Sequence, residues 1–266
     1  MVVSVKVMSS SIWAAGRYES VAEKIATIAD TVVSAADNRI PLRGTTVVDL
    51  ACGTGSAALS AAGLGAHVTA VDITADLVQI GAAKARADGL TVDWRTADAS
   101  DTGLAAGAFD AAVSNMGIIF VEPHSQVAEL ARILKPGAVL AFSSWVRDNV
   151  NPLFDPIVSV LGAPPSSGFR PDQWGQRETA TDRLAADFDE IDFAPGVLRW
   201  RFDSPENALS FVTQQSPMHV DILGQLDQTR RDELTAAFDA AMRALVDDDG
   251  AVSFDASYVV VTAIRR

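Results

Sequence analysis

The residues best suited to chemistry lie in Val47-Val48-Asp49-Leu50-Ala51-Cys52-Gly53-Thr54-Gly55-Ser56, where an apolar run meets a glycine turn and then an Ala-rich stretch. Gly53 and Gly55 let the backbone come close to a ligand, and a helix starting there aims its free amides at it. Gly53-x-Gly55-x-x-Ala58 also satisfies the loose dinucleotide fingerprint, so the glycines alone do not choose the ligand. The acidic residues do. Asp49 lies at the end of one predicted strand, Asp72 ends the next in Val68-Thr69-Ala70-Val71-Asp72, and Asp98 follows a third in Thr96-Ala97-Asp98-Ala99. A carboxylate at Asp72 can accept from both hydroxyls of a ribose. One at Asp98 can meet an exocyclic amine. Three carboxylates around one turn make a poor host for a doubly charged pyrophosphate and a good one for an adenosine that carries a positive centre. Each Asp alone reads first as a strand-end cap; the set in register carries the argument.

The elements that must position these residues follow from the patterning. Thr45–Leu50, Ala66–Asp72, Leu90–Thr96, Phe109–Ser114 and Ala138–Trp145 read as strands. Helices are expected between them at Ser56–Gly63, Ala75–Asp88 and Ser125–Leu134, the last closed by a helix stop and turn at Lys135-Pro136-Gly137. Strands alternating with helices indicate an α/β fold, a parallel sheet with helices on both faces. Upstream, Val21, Ile25, Ile28 and Val32 mark an amphipathic helix within Ile12–Ala36. Downstream, Arg147–Asp189 is rich in Pro, Asn and Ser and should hold short helices broken by loops. Val197–Phe202 and Ser257–Ile264 read as strands, and Pro205–Gln214 and Arg230–Val246 as helices. The expected division is an N-terminal helical flap (1–40), a ligand-binding core (41–146), an inserted region (147–190) and the remaining elements of the same domain (191–266).

Composition narrows the classes. The chain has 266 residues with 34 acidic and 21 basic side chains, a net charge of −13, and 48% hydrophobic residues. Global disorder is excluded, and the negative charge with scattered Arg and Lys argues against a nucleic-acid partner. A single cysteine, Cys52, excludes an internal disulfide or a Cys-cluster metal site, and no metal is expected. Met1–Ser11 has one Lys and no sustained apolar run, so no signal peptide is expected, and Met8 is an alternative start. No segment has the length of an apolar membrane span. A reducing, cytoplasmic compartment fits.

With these residues in view, the chain resembles the class I S-adenosylmethionine-dependent methyltransferases. Asp49-Leu50-Ala51-Cys52-Gly53-Thr54-Gly55 is similar to their first motif, D/E-x-G-x-G-x-G, departing at Ala51 where Gly is usual. By the same resemblance Asp72 takes the ribose, Ile73 packs on the adenine, and Asp98-Ala99 meets its amine. Phe109–Ser114 looks like the fourth-strand motif, and Leu130–Gly137 like the helix end before the fifth strand. The likeness covers roughly residues 40–146 and, on weaker grounds, points to the small-molecule type related to ubiquinone and menaquinone C-methyltransferases. It implies a Rossmann-like, doubly wound, mostly parallel seven-stranded sheet and S-adenosylmethionine as cofactor. Backbone around Ser114, Asn115 and Met116 would contact the methionine end, and Arg17 and Tyr18 in the flap would cover it.

Competing chemistries leave gaps. Tyr18 is followed four residues later by Ala22 and Tyr258 by Thr262, so no Tyr-x-x-x-Lys of a short-chain dehydrogenase exists. Asn115-Met116-Gly117-Ile118 stands where base-methylating enzymes carry Asn-Pro-Pro-Tyr. Methyl transfer needs a base only when the acceptor must lose a proton. His219, in the downstream region, is the preferred candidate and His124 the second; His67 reads as structural. Trp13, Phe120, Trp145, Phe154, Phe169, Trp174, Phe211 and Met218 crowd the variable parts as core or as a lining for an apolar pocket. The expected activity is methyl transfer to a small, largely apolar acceptor at oxygen, nitrogen or carbon. The alternatives are a cofactor-binding protein without transfer and a nicotinamide oxidoreductase. Partners reduce to the small-molecule acceptor, and a homodimer is left open.

Overall fold

The computed structural model describes Trp13 and residues 17–148, 150–163 and 168–266. The Met1–Ser11 reading and residues 12, 14–16, 149 and 164–167 fall outside the described residues. Continuous apolar runs buried on both sides build the centre of a seven-stranded sheet: β1 (Thr46–Leu50), β4 (Phe109–Ser114) and β5 (Leu134–Trp145). β2 (His67–Asp72) and the half-exposed edge strand β3 (Val92–Thr96) extend it on one side, β7 (Val252–Arg265) and β6 (Phe188–Phe202) on the other. The order is β3-β2-β1-β4-β5-β7-β6. The pairs from β3 to β5 are parallel, whereas β5 and β7 run antiparallel, Val139 opposite Ile264 and Trp145 opposite Tyr258.

The helices are α1 (Tyr18–Arg39), α2 (Ser56–Gly63), α3 (Ala75–Ala87), α4 (Pro123–Ile133), α5 (Asp155–Leu161), α6 (Arg177–Leu184), α7 (Pro205–Ser210), α8 (Pro217–Gly224) and α9 (Gln228–Arg243). In α1 the stripe Ile25, Ile28, Val32 and Ala36 is buried, as its spacing requires. Past Arg39, Pro41 cannot continue the helix, and Asp37 accepts the Leu42 amide at 2.8 Å to close the turn. α4 starts on Glu122, whose carboxylate accepts from the amides of His124 and Ser125, followed by Pro123 at the first helical position.

Lys135-Pro136-Gly137 is not a turn between two elements. α4 ends at Ile133 and β5 begins at Leu134, and the register jumps from Phe109 opposite Leu134 to Ala111 opposite Val139. The three residues bulge out of the strand, and Lys135 Nζ reaches back to Asp110 Oδ1 at 2.6 Å. β6 is longer than its expected run: burial alternates over Val197–Phe202, while Phe188–Gly196 ahead of it is mostly exposed and carries no apolar run to mark it.

The chain divides into two compact units. The sheet unit comprises Ile25–Val146, Phe169–Gly196 and Tyr258–Arg266. The other comprises Val197–Ser257, Arg147–Gly168 and the chain up to Lys24. The expected 147–190 insertion is thus split: residues from Phe169 onward join the sheet unit because Trp174, fully buried, packs edge-on against Phe142 of β5 with ring centroids 5.3 Å apart. The second unit has its own core of stacked rings, Trp200, Phe202, Phe211 and Phe254, with α9 packed on α5 and α7.

Candidate cofactor site

β1 lies between β2 and β4, so the strand order reverses beside it and opens a crevice at the carboxyl ends, where open α/β sheets take ligands. Asp49 pairs with Val113, Leu50 with Val71 and Asp72 with Thr96, which brings all three strand ends to this edge. The chain leaves β1 through left-handed backbone at Ala51 (φ 51°), Gly53 (φ 55°) and Gly55 (φ 85°), then enters α2. The Cys52 amide donates to Val71 O and the Gly55 amide to Cys52 O, fixing the loop on β2. Gly55 gives α2 no side-chain cap. Asp49 supplies one from behind: its Oδ2 accepts the Ala58 amide at 2.8 Å.

Asp72 holds the same turn from the other strand. It accepts the Gly53 amide at 2.7 Å and the Thr74 amide at 2.8 Å, one on each oxygen, leaving each oxygen a lone pair. Asp49 is 1% exposed, and its Oδ1 is buried without a partner. Burial pushes the Asp49 carboxyl up to about 8, against the pull of the Ala58 amide and with a further push from the charge of Asp72. Burial raises Asp72 as well, opposed by the Thr74 and Gly53 amides. The buried Cys52 thiol is raised by burial and by both carboxylates, so it stays a thiol and fills space. An orphaned acidic oxygen beside a second buried carboxylate fits a cationic, hydroxyl-bearing ligand and repels an anionic one.

At the end of β4, the Ser114 hydroxyl donates to Leu50 O at 2.7 Å and accepts the Ile118 amide, tying the two strand ends together. Met116 takes a left-handed φ of 56°. Gly117 packs on Ala51 so closely that a methyl group there would run into the Ala51 carbonyl and side chain. The departure at Ala51 is therefore matched across the crevice: Ala51 adopts the conformation a glycine would take freely, and Gly117 yields the room for its methyl.

The remaining sequence candidates fall variously. Ala99 is buried and its carbonyl accepts from Gln126 Nε2, while Ile73 stands 42% exposed beside Asp72. Asp98 is exposed, and one of its oxygens accepts both the amide and the hydroxyl of Ser100. Asn115 has both ends of its amide engaged within the protein. Arg17 and Tyr18 belong to the second unit: Arg17 is exposed with its amide on Gln215 O, and Tyr18 lies edge-on to Trp13.

His219 does not have the form of a base. It is 3% exposed, and its Nε2 donates to Leu153 O at 2.7 Å, which leaves Nδ1 to accept the Ser216 hydroxyl at 2.6 Å. Burial pushes its pKa down to about 4, so it is a neutral tie between two chain segments. His124 is exposed at the start of α4, its amide spent on Glu122. No group of three or more His, Cys, Asp or Glu among the described residues could hold a metal. Two residues escaped the sequence reading. Ser143 on β5 accepts the Met116 amide, and Trp94 on β3 wedges its indole between Gly55 and Gly81, where a side chain on either glycine would collide with it. Ser143 sits in an apolar strand and Trp94 in a half-exposed edge strand, and each reads there as an ordinary strand residue.

A family profile described as a methyltransferase domain matches residues 48–142, the stretch from β1 to β5 that builds this edge. An uncharacterized protein of Mycobacterium tuberculosis is 39% identical over 138 residues, 51% of this chain and 49% of that protein. A second uncharacterized protein of that organism is 31% identical over 206 residues, 74% of this chain and 72% of its own. The match thus spans about half the length of the first relative and nearly three quarters of the second. A demethylmenaquinone methyltransferase of Clavibacter sepedonicus is 37% identical over 98 residues, 36% of this chain and 40% of the enzyme. Among solved structures, a geranyl diphosphate methyltransferase in complex with S-adenosylmethionine shares the fold, with a TM-score of 0.52 at 18% identity over 91% of this chain and 85% of that one.

Proposed function

Because this chain belongs to the class I S-adenosylmethionine-dependent methyltransferases, we propose that it moves the methyl group of S-adenosylmethionine to a small, largely apolar acceptor at oxygen, nitrogen or carbon. The observation that carries this reading is the pair of buried carboxylates at the glycine turn, Asp49 with an unpartnered oxygen and Asp72 with lone pairs to spare. When bound, S-adenosylmethionine supplies a methyl group on a sulfonium, already activated for in-line displacement.

The chain's own residues then bind and orient. Asp72 would accept from the ribose hydroxyls, with Ile73 against the adenine and Asp98-Ala99 near its amine. The backbone of Ala51, Gly53 and Gly55 and that of Ser114–Met116 would flank the methionine end. Asp72, joined by Asp49 once that carboxyl ionises, opposes the desolvation cost of a cation, and holding the reactants at attack distance supplies much of the acceleration. A quinone acceptor, as in the name of the Clavibacter demethylmenaquinone methyltransferase, agrees with an apolar acceptor. Reaction at oxygen would need a proton acceptor, and of the two histidine candidates His124, exposed at the start of α4, is the one not already tied up inside the protein. The protein would work in the cytoplasm; no helix among the described residues is long and apolar enough to cross a membrane.

Calorimetric titration with S-adenosylmethionine, S-adenosylhomocysteine and NADH in parallel tests the cofactor. Micromolar binding of the two adenosyl-sulfur ligands without NADH is expected; binding of NADH alone would return the turn to the oxidoreductases. Asp72→Asn should weaken binding of both adenosyl-sulfur ligands, and it is gentler than Asp72→Ala because its one oxygen still accepts one of the Gly53 and Thr74 amides where alanine accepts neither. A second reading, binding without transfer, is favoured by the engagement of both His219 nitrogens. It predicts no S-adenosylhomocysteine when the loaded protein meets a library of phenols, quinols and amines.

A further inference from the structure

Both polar ends of Asn115 are committed inside the sheet unit. Nδ2 donates to the Ile25 carbonyl in α1 at 3.1 Å, and Oδ1 accepts from the Ser143 hydroxyl at 2.9 Å. The direction is forced, since a backbone carbonyl can only accept. Ser143, having given its proton to Asn115, accepts the Met116 amide at 2.9 Å. Met116 follows Asn115 directly, is buried, and has the left-handed φ of 56° that a long L side chain avoids. Such backbone persists only where its surroundings over-determine it. The Ser143 hydroxyl is the anchor, and Asn115 orients that anchor.

We propose that Asn115 is a positioning residue that links α1 at Ile25 to the left-handed turn at Met116, so that ordering either one orders the other. This rests on the proposed function only in making that turn the methionine end of the cofactor site. No other side chain of this length offers a donor to a carbonyl and an acceptor to a hydroxyl at once. Asp lacks the donor, Leu lacks both, and Gln places them one methylene further out. Ligand contact at the Ser114–Met116 backbone would therefore be felt in α1 at Ile25 without any ligand atom touching that residue. The amide is a strut between the two, and a ligand-contacting role for its side chain would require it to leave both partners.

Three variants of the full chain separate the parts of the link. Asn115→Asp keeps the acceptor for Ser143 and loses the donor to Ile25; Ser143→Ala removes the anchor; Asn115→Leu removes everything. Amide exchange at Ala26–Ala29 reads α1, and the methyl resonance of Met116 in protein carrying labelled methionine, assigned by Met116→Leu, reads the turn. Asn115→Asp should speed exchange in α1 at least tenfold and leave the Met116 resonance in place. Ser143→Ala should shift that resonance. In the wild-type protein S-adenosylhomocysteine should slow exchange in α1, and this response should vanish in Asn115→Asp. Wild-type exchange and an unmoved Met116 resonance in Asn115→Leu would overturn the link. So would loss of S-adenosylhomocysteine binding with unchanged exchange, which would make Asn115 a ligand. Failure of the wild-type protein to bind S-adenosylhomocysteine would instead count against the proposed function, with the ligand-free exchange and resonance data still judging the link.

Discussion

At Asp49 the folded chain holds on to a proton that the unfolded chain gives up. Its carboxyl is pushed from 3.8 to about 8 by burial, so between these values the folded state binds the extra proton. Stability from this group is fully present below the unfolded value and is lost as pH rises through the folded one, at up to about 1.4 kcal/mol per pH unit. The ligand-free protein should therefore melt at lower temperature at pH 8 than at pH 5, and Asp49→Asn should flatten that slope; thermal melts across the range decide. The Ala51–Gly117 contact makes a second expectation. Gly117→Ala drives a methyl into the Ala51 carbonyl and should cost about 1–3 kcal/mol or more, whereas Ala51→Gly only frees a strained φ and should change stability by under about 1 kcal/mol. Denaturant titrations of the two variants read the difference. The strand-end positions of Asp49 and Asp72 and the glycine turn between them were legible in the sequence because they follow from residue type and strand length. The Ala51–Gly117 match was not, because nothing in either segment signals that the turns after β1 and β4 pack against each other.

Between elements, the tie from His219 to Leu153 and Ser216 joins α8 to the turn before α5 in the second unit. Its folded pKa of about 4 lies below the unfolded 6.5, so the stability it contributes is present above 6.5 and lost as pH falls through 4. His219→Gln should remove that acid-side loss and, by stranding buried partners, cost roughly 1–3 kcal/mol near neutral pH. Exchange of the second unit's amides with pH would show both effects; an unchanged acid limb would assign it elsewhere. In the sequence His219 lies in the downstream region expected to meet the acceptor, and that position alone made it the preferred base. Only the carbonyl of Leu153, some sixty residues away in the chain, makes it structural. Elements governed by local signals, α2, α3 and β1 to β4, lie where the periodicity puts them. Those governed by distant partners do not: the bulge at Lys135–Gly137 answers to Asp110, and the helix expected over Pro205–Gln214 ends at Ser210, where the backbone widens into a π-helical turn at Phe211–Gln215.

Over the whole molecule the net charge of −13 adds a long-range field to the local one at Asp49 and Asp72. S-adenosylmethionine carries one more positive charge than S-adenosylhomocysteine, and the two are otherwise nearly the same shape. Their affinities therefore report the electrostatics with packing cancelled. The screening length shortens from about 30 Å at 0.01 M to about 8 Å at 0.15 M ionic strength, which removes distant acids but barely touches a buried pair. Over that range the sulfonium ligand should lose affinity several-fold while its neutral counterpart stays nearly constant. The preference left at high salt measures the buried carboxylates themselves. It should grow as pH rises through about 8, when Asp49 ionises, and Asp49→Asn should abolish that growth without changing the salt slope. Parallel salt slopes for the two ligands, or a preference indifferent to pH, would mean that the acids at the glycine turn hold the loop and do not sense the cofactor's charge.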